Sequence, residues 1–164
     1  MTLKTSPKTL FNHLVSEITS VYEENEAKSI VYLLLEHYLK FSKTAILLDE
    51  NINQVFDFQE IIARLKTQEP IQYIIGETEF YGRKFKVTPD TLIPRPETEE
   101  LVQLAVGSWQ SAVGSEVHSP IRLLDIGTGS GCIAISLACE LPNSQVYAYD
   151  ISENALKVAK KMLN

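Results

Sequence analysis

The sequence predicts a mixed architecture: a small helical bundle followed by the opening of a doubly wound α/β domain. Three observations carry this. Apolar residues recur at spacings of three and four through residues 1–76, the period of a helix with one buried face. At Gly76 the period changes to two, and prolines follow at 89, 94 and 96. From Ile121 the chain then reads strand, glycine loop, helix, strand, helix, the order that builds a parallel sheet flanked by helices.

In the first part, Leu10, Phe11, Leu14, Val15, Ile18, Val21 and Tyr22 form one apolar stripe. Ile30, Val31, Leu34, Leu35, Tyr38 and Leu39 form a second. Asn25 is placed to cap that second helix, with Glu26 in its first turn, where the helix dipole favours negative charge. Ser42 can cap a short third helix reaching Leu48, and Asp49-Glu50-Asn51 is a polar break. Ile52 to Lys66 repeats the helical pattern through Val55, Phe56, Ile61, Ile62 and Leu65. Pro70 suits the first turn of a short helix to Ile75, which Gly76 ends.

The second part opens with Glu79-Phe80-Tyr81 and Lys84-Phe85-Lys86-Val87, two strands about a turn at Gly82-Arg83. With the prolines, this hairpin reads as a connector over residues 77–96. A helix begins near Glu97, with Glu97, Glu99 and Glu100 in its first turns. Leu101, Val102, Leu104 and Ala105 give it an apolar face, and Trp109 extends it. Val113 to Pro120 is a polar loop. Ile121 to Ile126 reads as a buried parallel strand, Cys132 to Glu140 as a helix, Gln145 to Tyr149 as a second strand, and Ser152 as the cap of a helix to Leu163. The expected units are thus a bundle, 1–76, the connector, and an incomplete α/β portion, 97–164.

The net charge is −6. Generic phosphate-backbone binders are basic, so direct nucleic-acid binding is not expected. The longest apolar run, Ile30 to Leu35, is far shorter than a membrane span, and Met1 to Pro7 has no apolar signal core. A cytoplasmic location without a membrane partner is the expectation. Cys132 and Cys139 are seven residues apart on one predicted helix, about 10 Å of rise, too far for a disulfide. Both are expected to be buried small hydrophobes. His13, His37 and His118 have no metal-ligand company, and no metal is expected.

The chemistry concentrates in Asp125-Ile126-Gly127-Thr128-Gly129-Ser130-Gly131, at a strand end and a helix start. Glycines there let a ligand lie against the backbone, and the helix N-terminus is expected to present free N–H groups that favour a negative ligand group. A dinucleotide fingerprint counted from Gly127 fails at Cys132; counted from Gly129 it meets Ala134, which that fingerprint tolerates. The fuller match is D-x-G-x-G-x-G. Asp150 follows the second strand about twenty residues on, where a carboxylate can accept both hydroxyls of a ribose. That logic serves S-adenosylmethionine and NAD alike.

The stretch Glu69-Pro70-Ile71 through Gly76, Glu79-Phe80, Phe85-Lys86-Val87, and above all Leu92-Ile93-Pro94-Arg95-Pro96-Glu97-Thr98-Glu99, followed by Leu124 to Gly131, resembles the HemK/PrmC methyltransferases. The resemblance implies a helical bundle that docks peptide chain release factors, then the first part of a Rossmann-like S-adenosylmethionine-dependent methyltransferase domain. It implies that the cofactor, S-adenosyl-L-methionine, is cradled by Gly127, Thr128, Gly129, Ser130 and Gly131. Asp150 would bind its ribose and Asp125 would support the loop. Arg95, Glu97 and Thr98 are substrate-side candidates, weighed evenly against a purely structural role. The implied activity is N5-methylation of the glutamine in the Gly-Gly-Gln motif of release factors, in translation termination.

The family's catalytic Asn-Pro-Pro-Tyr does not occur here. The expectation is therefore a truncated chain, without catalytic residues of its own and inactive alone, because an amide nitrogen is a poor nucleophile unless acceptors hold it. Rival readings are a methyltransferase acting on a ribosomal-protein glutamine or a nucleic-acid base, a nicotinamide-dependent oxidoreductase, and a non-catalytic release-factor-binding module.

Overall fold

The computed structural model describes residues 6–49, 57–112 and 121–163. The chain divides into two units, Met1–Ile75 and Gly76–Asn164, each with its own core.

The first unit is helical: α1 (Pro7–Ile18), α2 (Glu24–Leu39), α3 (Lys43–Leu47), α4 (Gln59–Lys66) and α5 (Ile71–Ile75). Ser6 caps α1 by accepting the Thr9 N–H, and Pro7 occupies the first turn, where a missing N–H costs nothing. α1 ends at Thr19, so Val21 and Tyr22 leave the predicted stripe. Their amides close a turn on the Ile18 carbonyl, and the Tyr22 hydroxyl donates to the Leu65 carbonyl at 3.1 Å. Because that turn is tight, α2 starts earlier than expected. Its cap position is Glu23, without a side-chain cap, and Asn25 lies inside the first turn. The predicted Asn25 cap is corrected accordingly. Ser42 does cap α3, accepting from the Ala45 amide. Of the predicted Ile52–Lys66 helix, residues 52–56 lie outside the described residues, as do Glu50 and Asn51 before it. The described part starts at Gln59, whose amide donates to Asp57 Oδ1 at 3.0 Å. Ile18, Val31, Leu34, Leu35 and Leu65 are wholly buried at the centre, each contributing about 1.5–3 kcal/mol of apolar burial.

The second unit contains β1 (Glu77–Phe80), β2 (Arg83–Lys86), α6 (Pro96–Ala112), β3 (Ile121–Ile126), α7 (Cys132–Glu140), β4 (Ser144–Tyr149) and α8 (Glu153–Lys160). β1 and β2 pair antiparallel, Glu77 opposite Lys86 and Phe80 opposite Arg83. The turn is Tyr81-Gly82, with φ of 50° and 69°, not Gly82-Arg83. Two consecutive positive φ values suit the right-handed twist of a hairpin. Glu99 of α6 helps fix this register by accepting the Tyr81 amide at 3.0 Å. Phe80 and Phe85 meet edge to face at 6.0 Å and join Val102 and Val106 of α6 in the core. The hairpin expected as a connector is thus part of the second unit's packing.

On α6 the buried positions are Val102 and Val106, one turn apart, whereas Leu101 and Leu104 are exposed. The predicted apolar face is rotated by about one residue. β3 and β4 pair parallel, from Ile121–Ser144 to Ile126–Tyr149. α7 packs on one face of the pair, against Leu123 and Val146. On the other face Leu124, Ile126, Tyr147 and Tyr149 are 54–72% exposed. The expectation of a strand buried on both faces is corrected: its alternation marks a strand covered on one side. Among the described residues no helix is long and apolar enough to cross a membrane. Val113 to Pro120, with His118, lie outside the described residues.

Candidate functional site

The C-terminal ends of the two parallel strands hold the site. β3 delivers Asp125 and runs into the glycine loop; β4 delivers Tyr149 and Asp150. Gly127, Gly129 and Gly131 take φ of 80°, 56° and 82°, the left-handed region that costs any other L-residue about 1–2 kcal/mol. Apart from the adjoining residues, no protein atom lies within 4 Å of where a Cβ would stand on Gly127 or Gly129. On Gly131 a Cβ would meet Ile135 Cδ1 at 3.0 Å and Ala159 Cβ at 3.2 Å. The third glycine therefore permits α7 and α8 to approach each other. The first two leave a backbone surface open to a ligand.

The loop is stitched down by its own amides. Gly127 and Thr128 both donate to the Tyr149 carbonyl, at 2.8 and 3.0 Å, and Gly131 donates to the Thr128 carbonyl at 2.8 Å. Gly129 donates to Asp150 Oδ2 at 2.8 Å. The expected free N–H groups are thus already committed at Gly127, Thr128, Gly129 and Gly131. The Thr128 hydroxyl donates to Asp125 Oδ2 at 2.7 Å, and Thr128 is buried. Ser130 is buried with its hydroxyl unpaired.

The other oxygen of Asp150 accepts the Ser152 amide at 2.9 Å. These backbone donors, Ser152 first and then Gly129, hold its carboxyl below the usual carboxylate range. Asp150 is not the cap of α8. Ser152 is, through the Ala155 amide. Asp150 stays half-buried, and with the Ser152, Gly129 and Ile151 amides as its backbone donors the carboxylate, with about four lone-pair sites, keeps acceptor capacity.

The structure brings together Asp125, residues 127–131 and Asp150. Arg95 and Glu97 are exposed and Thr98 half-buried at the start of α6. Thr98 donates its amide to the Arg95 carbonyl at 3.0 Å; no hydrogen bond or ion pair among the described residues ties these three to the loop. The segment before them does reach α8, through Asp90 Oδ1 and the Asn154 amide at 3.3 Å. Sequence reasoning missed Glu99, Thr128 as the partner of Asp125, and the Gly129–Asp150 bond. The capping use of Ser152 was legible; a contact across 21 residues was not. Cys132 is buried, and burial pushes its thiol up, while Cys139 is exposed. That corrects the expectation for Cys139, which lies beyond the core at the end of α7. Among the described residues no three of His, Cys, Asp and Glu gather as metal ligands.

Of the two family matches, the first ends at the boundary between the two units and the second lies within the second unit. The PrmC N-terminal domain matches residues 9–76 and a methyltransferase domain matches residues 117–164. A release factor glutamine methyltransferase of Flavobacterium psychrophilum is 42% identical over 153 residues, covering 90% of this chain and 52% of the relative. One of Bacteroides thetaiotaomicron is 43% identical, covering 91% and 52%. A bifunctional methyltransferase of Rickettsia prowazekii is 41% identical over 144 residues, covering 78% of this chain and 28% of the relative. The chain spans about half the length of the first two.

Proposed function

With the chain belonging to the HemK/PrmC family, we propose that it works in S-adenosylmethionine-dependent N5-methylation of the glutamine in the Gly-Gly-Gln motif of peptide chain release factors. The second unit supplies the cofactor cradle, and the helical unit docks the release factor. When bound, the cofactor supplies an electrophilic methyl group on a sulfonium. The residues of this chain bind and orient it. Gly127 and Gly129 give it bare backbone, Gly131 and Ser130 shape the loop's end, and Asp150 accepts its ribose hydroxyls. Asp125 holds the loop through Thr128.

The observation that carries this reading is the half-buried carboxylate of Asp150 fastened beside an open-sided glycine loop. It also favours a sulfonium nucleoside over a dinucleotide. A pyrophosphate needs loop amides as donors, and four of them already donate within the protein.

Calorimetry of this chain with S-adenosylmethionine and with NADH tests the assignment. The expected result is binding of the first, abolished or weakened at least tenfold in Asp150→Ala, and no binding of the second. NADH binding as tight as S-adenosylmethionine, or an Asp150→Ala variant with unaltered affinity, refutes it. The release-factor role predicts that the chain is retained by an immobilised release factor and that substitutions on the helical unit release it.

A further inference from the structure

We infer that Asp150 is a positioning residue that sets the conformation of the glycine loop before any cofactor arrives. The inference rests on the cofactor reading of this site and extends it.

Side-chain packing anchors the loop at Thr128 and Ser130, both buried, but not at Gly127 and Gly129, where, chain neighbours apart, nothing lies within 4 Å of a Cβ position. Those two glycines are held through the hydrogen bonds of their amides. Gly127 and Thr128 are tied to a main-chain carbonyl, that of Tyr149, and Gly131 to the carbonyl of Thr128 within the loop itself. The Gly129 amide alone reaches a side chain, Asp150 Oδ2 at 2.8 Å. Asp150 is in turn braced by the Ser152 amide on its second oxygen at 2.9 Å, and Ser152 is the cap of α8. One carboxylate thus bridges the loop to the start of α8. A glycine left free at this point samples positive and negative φ almost equally, so the bond selects the 56° conformation of Gly129. Gly129 and Ser152 take one position on each oxygen and the Ile151 amide contributes more weakly, so of the about four lone-pair sites of a carboxylate at least one stays open. A ribose hydroxyl can therefore bind without releasing Gly129, and bound cofactor and positioned loop favour each other.

The test is residue-resolved amide hydrogen exchange by NMR on the whole chain without cofactor. The Gly129 amide is expected to be protected, and Asp150→Ala to accelerate its exchange at least tenfold while amides of α2 are unchanged. Asp150→Asn retains a side-chain oxygen and is expected to restore part of the protection, a rescue that general loosening does not give. Trp109 emission, unaltered between the variants, reports that the second unit is folded; if Asp150→Ala unfolds it, the comparison of wild type with Asp150→Asn decides, by a smaller acceleration at Gly129. An unprotected Gly129 in the wild type, or exchange indifferent to both substitutions, overturns the inference. Faster exchange together with unchanged S-adenosylmethionine affinity keeps the positioning role and sinks both the ribose role and the coupling of loop to cofactor.

Discussion

Alanine at each of the three loop glycines separates conformational demand from crowding. Gly127, Gly129 and Gly131 share the same backbone region, with φ of 80°, 56° and 82°, so each alanine carries about 1–2 kcal/mol of left-handed strain. Gly127 and Gly129 add nothing further, because a methyl there meets no atom within 4 Å beyond the adjoining residues. Gly131 does add to it. Ile135 Cδ1 at 3.0 Å is the end of a side chain and can rotate away, but Ala159 Cβ at 3.2 Å is carried by α8 and moves only with that helix. Overpacking of this kind costs about 1–3 kcal/mol, giving about 2–5 kcal/mol in all for Gly131→Ala. The single tryptophan, Trp109, packs against the second unit's core and reports its unfolding in urea. With a slope of about 1 kcal/mol per molar urea, the midpoint falls by about 1–2 M for Gly127→Ala and Gly129→Ala and by about 2–5 M for Gly131→Ala. Equal shifts for all three, or the smallest for Gly131→Ala, refute the division into ligand-facing and helix-spacing glycines.

The hairpin supplies a pH prediction. Lys84 and Lys86 hold the Glu77 carboxyl at about 2, below the ordinary 4.5. Its folded value is depressed, so the stabilisation is complete above about pH 4.5 and is lost as pH falls towards 2. Both lysines are largely exposed, which screens the effect to about 1 kcal/mol. Comparing urea midpoints at neutral pH and near pH 2.5, Glu77→Gln is expected to lose less stability over that interval than the wild type; parallel losses contradict it. Thr128→Val removes the donor to Asp125 and is expected to cost about 1–2 kcal/mol in the same Trp109 assay, with weaker S-adenosylmethionine binding. Phe85→Ala empties a fully buried position and is expected to cost about 3–5 kcal/mol, read as a lower melting temperature of the second unit; a cost under 1 kcal/mol contradicts the packing described.

Periodicity and punctuation explain what the sequence made legible. Ser42, Ser152 and Gly76 act locally, within a turn of their own position, and their roles follow from the chain alone; Pro70, expected inside the first turn of its helix, stands one residue before it. The glycine loop and Asp150 were readable because their spacing reflects one strand-helix-strand unit. What escaped was set by partners distant in sequence. The face of α6 that is buried depends on where Phe80 and Phe85 lie, so Leu101 and Leu104 could not be told from Val102 and Val106 by spacing. The start of α2 depends on a turn closed by the Ile18 carbonyl, a main-chain group with no signature. Cys132 and Cys139 share a helix face, yet only the first lies within the core.

Half of the loop's attachment runs through the Tyr149 carbonyl, which accepts two amides. A peptide oxygen is the same in every amino acid, so a saturation scan at position 149 leaves both bonds in place. Tolerance there would say little about the joint's importance. Replacing the Gly127 or Thr128 amide by an ester removes a donor without touching a side chain, and makes that hidden dependence measurable.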